Sequence, residues 1–254
     1  MHGRYAATFS TTLSRPSESY LVCALPRSGS SLLCGLLEST GVAGHAHEWF
    51  WRETEAGLRE NWGTPGEGEY LERVLAAGTT PNGVFAAKLM WGYFEETLDR
   101  LRAFAGAPSA GDPQTIEAFA PRPRFVWVRR GDVVAQAVSW SRALQGGRWW
   151  SGDDRPEGPL RYDFEQIDGL IGVIHEHDAG WRSWFERNGL EPCAVGYEEL
   201  AADPVAITSR VLDFLGLEAE ADPRSIGPRN ERQADALNAE WAARYVAERA
   251  YPCA

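Results

Sequence analysis

The residues Pro26-Arg27-Ser28-Gly29-Ser30-Ser31-Leu32 set one cation, three hydroxyls and a glycine between a short apolar run and a segment of helical periodicity. Backbone N–H groups at a helix N-terminus, a glycine that lets the chain approach a ligand, hydroxyl donors and a cation together make a cradle for a phosphate-like anion. Arg27 would supply the charge and Ser28, Ser30 and Ser31 the hydroxyls, with Gly29 giving the close approach. The plainer alternative is a Ser/Gly turn that caps a helix. The GK[ST] ending of a Walker A loop is missing, so no lysine reaches toward a γ-phosphate and no following Ser/Thr holds magnesium. An ordinary NTPase is therefore not expected.

Other residues could complete such a site. Arg129 and Arg130 close a third apolar run, and Ser139 follows on the next helical segment. In His47-Glu48-Trp49-Phe50 a carboxylate stands among aromatics, a setting in which it can serve as a general base. His47 and His45 are rival bases, because imidazole as a group exchanges protons near neutrality. Lys88, ending the second strand, could sit at the mouth of the site beside the group being transferred or the acceptor, although a lysine at a strand end is usually solvated. Arg148, Trp149 and Trp150 lie in a Gly-rich loop, where indole rings could stack on a sugar face. His45, His47 and Glu48, or His175 and His177, could also be read as metal ligands. Neither set has HExxH spacing or an evident third ligand, so no metal is expected.

These residues need elements that hold them. Residues 20–25 form an apolar run bounded by Pro26, which suits a buried strand of a parallel sheet. Leu32, Leu33, Leu36 and Leu37 then recur with helical spacing and stop near Gly41. Residues 84–91 read as a second strand, 125–128 as a third and 193–195 as a last one. Helices are expected over 132–144, 162–188, 204–215 and 234–250, and loops over 105–124 and 146–159. Strands alternating with helices predict an α/β fold, a P-loop-like three-layer arrangement with a central parallel sheet flanked by helices. The expected organisation is a polar N-terminal leader over 1–18 and a single domain over 19–254.

Composition narrows the function classes. With 36 acidic and 25 basic side chains the net charge is −11, which disfavours general binding of nucleic acid or anionic membrane. Any anion must be held by a local site. A hydrophobic content of 44% with 11 Trp, 10 Phe and 8 Tyr is enough for a sizeable core, so disorder is excluded. The cysteines at 23, 34, 193 and 253 are too far apart for CxxC pairs and are read as reduced thiols. The first 19 residues lack an apolar h-region and no run is long enough to span a bilayer, so a cytoplasmic location without a membrane span is expected.

The anion loop resembles the 5′-phosphosulfate loop of sulfotransferases, which take a sulfuryl group from 3′-phosphoadenosine 5′-phosphosulfate (PAPS) and release 3′-phosphoadenosine 5′-phosphate (PAP). Along nearly the whole chain the sequence is similar to the bacterial trehalose 2-sulfotransferase family. The matching stretches are Ser19-Tyr-Leu-Val with Arg27-Ser-Gly-Ser, Thr40-Gly-Val-Ala-Gly44, Thr80-Pro-Asn-Gly-Val with Lys88-Leu-Met-Trp91, Asp132-Val-Val-Ala-Gln-Ala-Val-Ser139, Gly180-Trp-Arg-Ser-Trp-Phe185 and Glu231-Arg-Gln-Ala-Asp235. Nodulation sulfotransferases are more distant and look alike mainly at the anion loop, Arg129-Arg130 and Arg232-Gln233.

The resemblance implies a PAPS-dependent enzyme acting on a small-molecule hydroxyl acceptor, a sugar or glycosylated metabolite, without a metal. It implies that Arg27 and its loop hold the 5′-phosphosulfate, that Arg130 (or Arg129) and Ser139 hold the 3′-phosphate, and that Arg232 and Gln233 close over the nucleotide. Glu48 aligns with the family's base, while His45 and His47 replace other residue types there. Family members are dimers, and Trp49-Phe50-Trp51 could contribute to a homodimer interface or equally to the core. The competing readings are a non-catalytic 3′-phosphoadenosine nucleotide-binding protein, which needs no base, and a phosphotransferase, which lacks its lysine here.

Overall fold

The computed structural model describes residues 15–147, 149, 158–218 and 236–250. Strand β1 (Glu18–Ala24) leads through the anion loop into α1 (Ser30–Ser39), and α2 (Arg52–Trp62) and α3 (Glu67–Gly78) precede β2 (Val84–Met90). A single 3₁₀ turn at Trp91–Tyr93 opens α4 (Phe94–Ala105), and α5 (Asp112–Phe119) leads to β3 (Pro123–Arg129). Then come α6 (Val133–Gly146), α7 (Phe164–Arg187), β4 (Cys193–Gly196), α8 (Tyr197–Ala202), α9 (Pro204–Leu215) and α10 (Ala236–Ala250).

The four strands form one parallel sheet in the order β2-β1-β3-β4. From β1 the chain crosses to one side to make β2 and then returns to the other side of β1 to make β3. That reversal opens a crevice at the carboxyl ends of the strands, where ligands bind in open α/β sheets. The anion loop follows β1 at this edge, Arg130 follows β3 and Tyr197 follows β4.

Alternation along β1 divides the core into two layers. Tyr20, Val22 and Ala24 pack with Leu33, Leu36 and Leu37 of α1 and with Val211, Leu212 and Leu215 of α9. Leu21, Cys23 and Leu25 face a larger cluster that includes Phe94, Phe125, Trp181 and Trp184. Here Phe94 lies 4.7 Å from the Trp181 ring and 5.0 Å from Trp184, within the range of favourable aromatic pairs. Sheet covered on both faces by helices is the three-layer α/β arrangement expected from the sequence.

Some expectations change. The stretch 105–124 is not simply a loop, because Pro113 is accommodated in the first turn of α5 while Ile116 and Phe119 are buried. Arg102 Nη2 donates to Asp112 at 2.5 Å and the Trp184 indole donates to its other oxygen at 2.7 Å, which ties that helix down. Helices α2, α3, α4 and α8 had no counterpart in the sequence reading. Trp49 and Phe50 are buried inside the chain, Trp49 against Trp62, so they form core and lend no support to a homodimer interface. Among the described residues no helix is long and apolar enough to cross a membrane.

The segment between α1 and α2 is held tightly on β2. His45 N–H donates to Gly78 O, Lys88 N–H donates to His47 O, and the Trp49 indole donates to Ala86 O at 3.0 Å. Gly44 permits this contact. At φ +64° it has left-handed backbone, and an added Cβ would lie 2.8 Å from the Ala86 Cβ and 2.9 Å from Val84 O. Gly44→Ala is therefore expected to destabilise the chain by about 1–3 kcal/mol, read as a lower urea midpoint. An unchanged midpoint would show that the segment is not pressed against β2.

Candidate active site

The anion loop is built where β1 ends. The Trp181 indole donates to Ala24 O at 3.1 Å, and the buried Gln136 amide donates to Pro26 O at 2.8 Å, so the chain is fixed just before it turns. Arg27 and Gly29 then take left-handed backbone with φ of 61° and 93°. A side chain at Gly29 would strike the Tyr197 ring at 2.5 Å, so this position has room for glycine alone. Leu32 and Leu33 N–H groups donate back to Gly29 O, starting α1 immediately after the turn. The Ser28 hydroxyl is buried and makes no hydrogen bond among the described residues. A buried polar atom left so carries a desolvation cost that an oxygen-rich ligand would remove.

Three arginines crowd the same place. Arg27 Nε donates to Ser139 Oγ at 3.0 Å and its Nη1 to Trp149 O at 2.5 Å. Arg130 stacks 4.5 Å above the Tyr197 ring and reaches Arg27 O at 3.5 Å. Burial, then the Arg130 charge and, more weakly, that of Arg142 push Arg27 down to about 10, while Tyr197 opposes the shift. It remains a cation at neutral pH.

The structure separates the two arginines that sequence left open. Arg129 makes a bidentate pair with Asp178, with both contacts at 2.7 Å, and lies over Trp127 at 4.5 Å. The hydrogen bond to Asp178 holds its guanidinium charged. Arg130 faces the loop. Glu198 supports that turn by accepting from Gly131 and Asp132 N–H groups at 3.1 and 3.2 Å. Burial alone would raise this carboxyl, but those bonds and Arg130 bring it below the ordinary range.

Lys88 proves to be buried, two residues before the end of β2, on the same sheet face as Ala86 and Met90. Its Nζ lies 2.7 Å from Glu48 Oε1 and donates to Ser31 Oγ at 3.0 Å. Ser31 belongs to the anion loop's helix, so one ammonium joins the anion cradle to the carboxylate that sequence singled out as base. Below them the Cys34 thiol is pushed up to about 12 by burial, with Lys88 pulling the other way and Glu48 and Glu38 adding to the rise. The buried Tyr93 hydroxyl is also raised, first by burial and then by Glu48. Opposite the loop, Trp149 meets Trp51 edge to face at 6.1 Å, so the predicted indole is at the site with an aromatic partner.

The histidines pair differently from the sequence reading. Glu48 turns to Lys88, and it is Glu38, in the last turn of α1, that faces them. His45 Nδ1 lies 3.0 Å and His47 Nε2 3.4 Å from the same Glu38 oxygen. No spacing rule pointed to Glu38, because the segment folds back to reach it. His177 is half-buried and lowered by burial, and Gly92 comes close to its ring. Tyr197, Gln136 and Glu198 were also missed; they act through the turns they support, and only their places after β4 or on α6 hint at it. Arg148, Trp150, Arg232, Gln233 and Cys253 lie outside the described residues.

Comparison with known proteins identifies the family. The family model described as Stf0 sulphotransferase matches residues 19–248. A trehalose 2-sulfotransferase of Mycobacterium tuberculosis is 34% identical over 264 residues, covering 93% of this chain and 97% of that protein. Another trehalose 2-sulfotransferase, from Mycolicibacterium smegmatis, is 31% identical over 253 residues, covering 89% of this chain and 93% of that protein. A sulfotransferase crystal structure from Alicyclobacillus acidocaldarius superposes with a TM-score of 0.49 at 15% identity, over 92% of this chain and 94% of the other. With a family match spanning most of its length and relatives above 30% identity, the chain belongs to the Stf0 sulphotransferase family and is a sulfotransferase.

Proposed function

We propose that the chain transfers the sulfuryl group of PAPS to a hydroxyl of a small polar acceptor, a sugar or glycosylated metabolite, with Glu48 as general base. The observation that carries this reading is that Lys88 bonds both Ser31, at the start of the anion loop's helix, and Glu48. It sets an anion cradle and a base on two sides of one ammonium. The trehalose-directed names of the relatives support a sugar hydroxyl as acceptor.

The residues present fit the donor. The buried Ser28 hydroxyl, the tight glycine turn against Tyr197 and the nearness of the Arg130 charge to Arg27 support a ligand carrying several negative charges. Arg27 and the loop would hold the phosphosulfate end, and Arg130 with Ser139 the 3′-phosphate. The bound donor supplies an electrophilic sulfur and a phosphate leaving group. Lys88 offers positive charge to the oxygens around that sulfur, where charge shifts in the transition state. Glu48 takes the acceptor proton as the new oxygen–sulfur bond forms and the bond to the leaving phosphate oxygen breaks. Its pairing with Lys88 through one oxygen does not exhaust it, since a carboxylate offers about four lone-pair sites. Trp149 and Trp51 would wall the acceptor side with indole surface.

Two measurements test this reading. PAP should bind more tightly than 5′-AMP by roughly tenfold to a hundredfold, the value of a charge-assisted contact to the extra phosphate. Equal affinities by calorimetry at fixed salt would remove Arg130 and Ser139 from that role, and preference for ATP with magnesium would turn the reading toward a phosphotransferase. In kinetics with a sulfated acceptor identified from a panel of sugars, Glu48→Gln should retain PAP affinity and lower kcat by roughly 10² to 10⁴. Arg27→Ala should weaken PAP binding as well as rate, because its contact exists before the transition state. If Glu48→Gln keeps near-full turnover while His47→Ala loses it, the histidine is the base.

A further inference from the structure

We propose that Glu38, His45 and His47 form a binding site for one divalent transition-metal ion of the zinc class, beside the anion cradle and not part of it. Each residue offers one ligand atom, and these atoms all lie within 4.8 Å of one another. Two imidazoles and one carboxylate, with further positions open to water, are a donor set that suits zinc and its neighbours better than magnesium or calcium, which prefer all-oxygen shells.

The distances admit an ion. Around a tetrahedral zinc with bonds near 2.0–2.1 Å, adjacent ligand atoms stand roughly 3.3–3.4 Å apart. The two nitrogen-to-oxygen separations of 3.0 and 3.4 Å bracket that edge length, so an ion could enter with small side-chain shifts. The three side chains are partly buried, with 25% of each imidazole and 14% of the Glu38 side chain exposed, which leaves an entry path while limiting competition from water.

The ligands are also pre-positioned. Glu38 is fixed in α1, His45 N–H is bonded to Gly78 O, and His47 O accepts from Lys88 N–H on β2. The His47 ring packs edge-on to buried Trp49 at 5.0 Å. Little conformational entropy therefore remains to be lost on binding. The cluster is distinct from the anion cradle. Ser31 and Glu38 are seven residues apart on α1, which places them on one face of the helix but roughly 10 Å apart along its axis. An ion here would tie the segment that carries Glu48 to α1.

Chelator-treated protein is titrated with zinc chloride by calorimetry and with cobalt(II) by visible spectroscopy. One ion per chain and cobalt bands of a four- or five-coordinate site are expected, with no comparable heat from magnesium. Glu38→Gln and, separately, His45→Ala and His47→Ala should each weaken zinc by roughly tenfold or more, while Cys34→Ser should not. Circular dichroism of each variant identifies any that is unfolded, and such a variant is set aside in favour of the others. Absence of stoichiometric zinc binding by the unmodified chain overturns the proposal. So does binding that survives in folded variants of these three residues, or that is lost on replacing Cys34. Since the readout is metal binding, the result does not depend on whether the acceptor or the base has been assigned correctly.

Discussion

A guanidinium withdrawn from water beside other guanidiniums is held at a cost, and that cost organises this molecule. Arg27 is brought into the crevice by the left-handed turn after β1, with Arg130 and Arg142 near enough to depress its pKa. The chain as a whole is strongly acidic, so general electrostatics would repel a polyanion. A focused cluster reverses this locally. The fold supports the arrangement from several elements: Trp181 and Gln136 fix the backbone before the turn, Tyr197 fills the space that Gly29 leaves, and Glu198 holds the turn that presents Arg130.

The second cationic centre follows from the sheet. A lysine inside a parallel strand faces an apolar layer unless it has partners, and burying an unpaired ammonium is strongly unfavourable. At Lys88 the partners are Glu48 and Ser31, which arrive from the segment before α2 and from the start of α1. That requirement couples three stretches distant in sequence. Breaking the pair by removing one member would leave a charge in a poor environment, so base position and anion loop are bound to the same packing.

The core elements of the sheet were readable because their signals are local. An apolar run ended by Pro26, the Leu32 to Leu37 spacing and the Pro-Asn-Gly turn before β2 each specify structure within a few residues. Helices α2 and α3 were harder: Arg52–Trp62 and Glu67–Gly78 carry charged residues and glycines, and their buried residues pack in a cluster with Trp49 and Phe85 from other parts of the chain. At α5 a proline and neighbouring glycines suggested a loop, whereas the first turn of a helix tolerates proline. The anion loop was proposed from its residue types, and Glu48 from the family resemblance. Their connections were not legible, because the choice of Glu38 for the histidines and Lys88 for Glu48 is made by tertiary folding.

The two sides of the crevice draw on different parts of the chain. Arg27, Arg130, Ser139 and Tyr197 lie around the ends of β1, β3 and β4, whereas Glu48, His45 and His47 lie on the segment between α1 and α2 and Glu38 in the last turn of α1. Substitutions in the second group change shape and hydrogen bonding where an acceptor would approach while leaving the anion cradle's contacts in place. Relatives at 31–34% identity can thus share a cradle and differ beyond it. The paired imidazoles on Glu38 fall in that second group. Lys88 touches both, and its bonds to Ser31 and Glu48 couple the two groups.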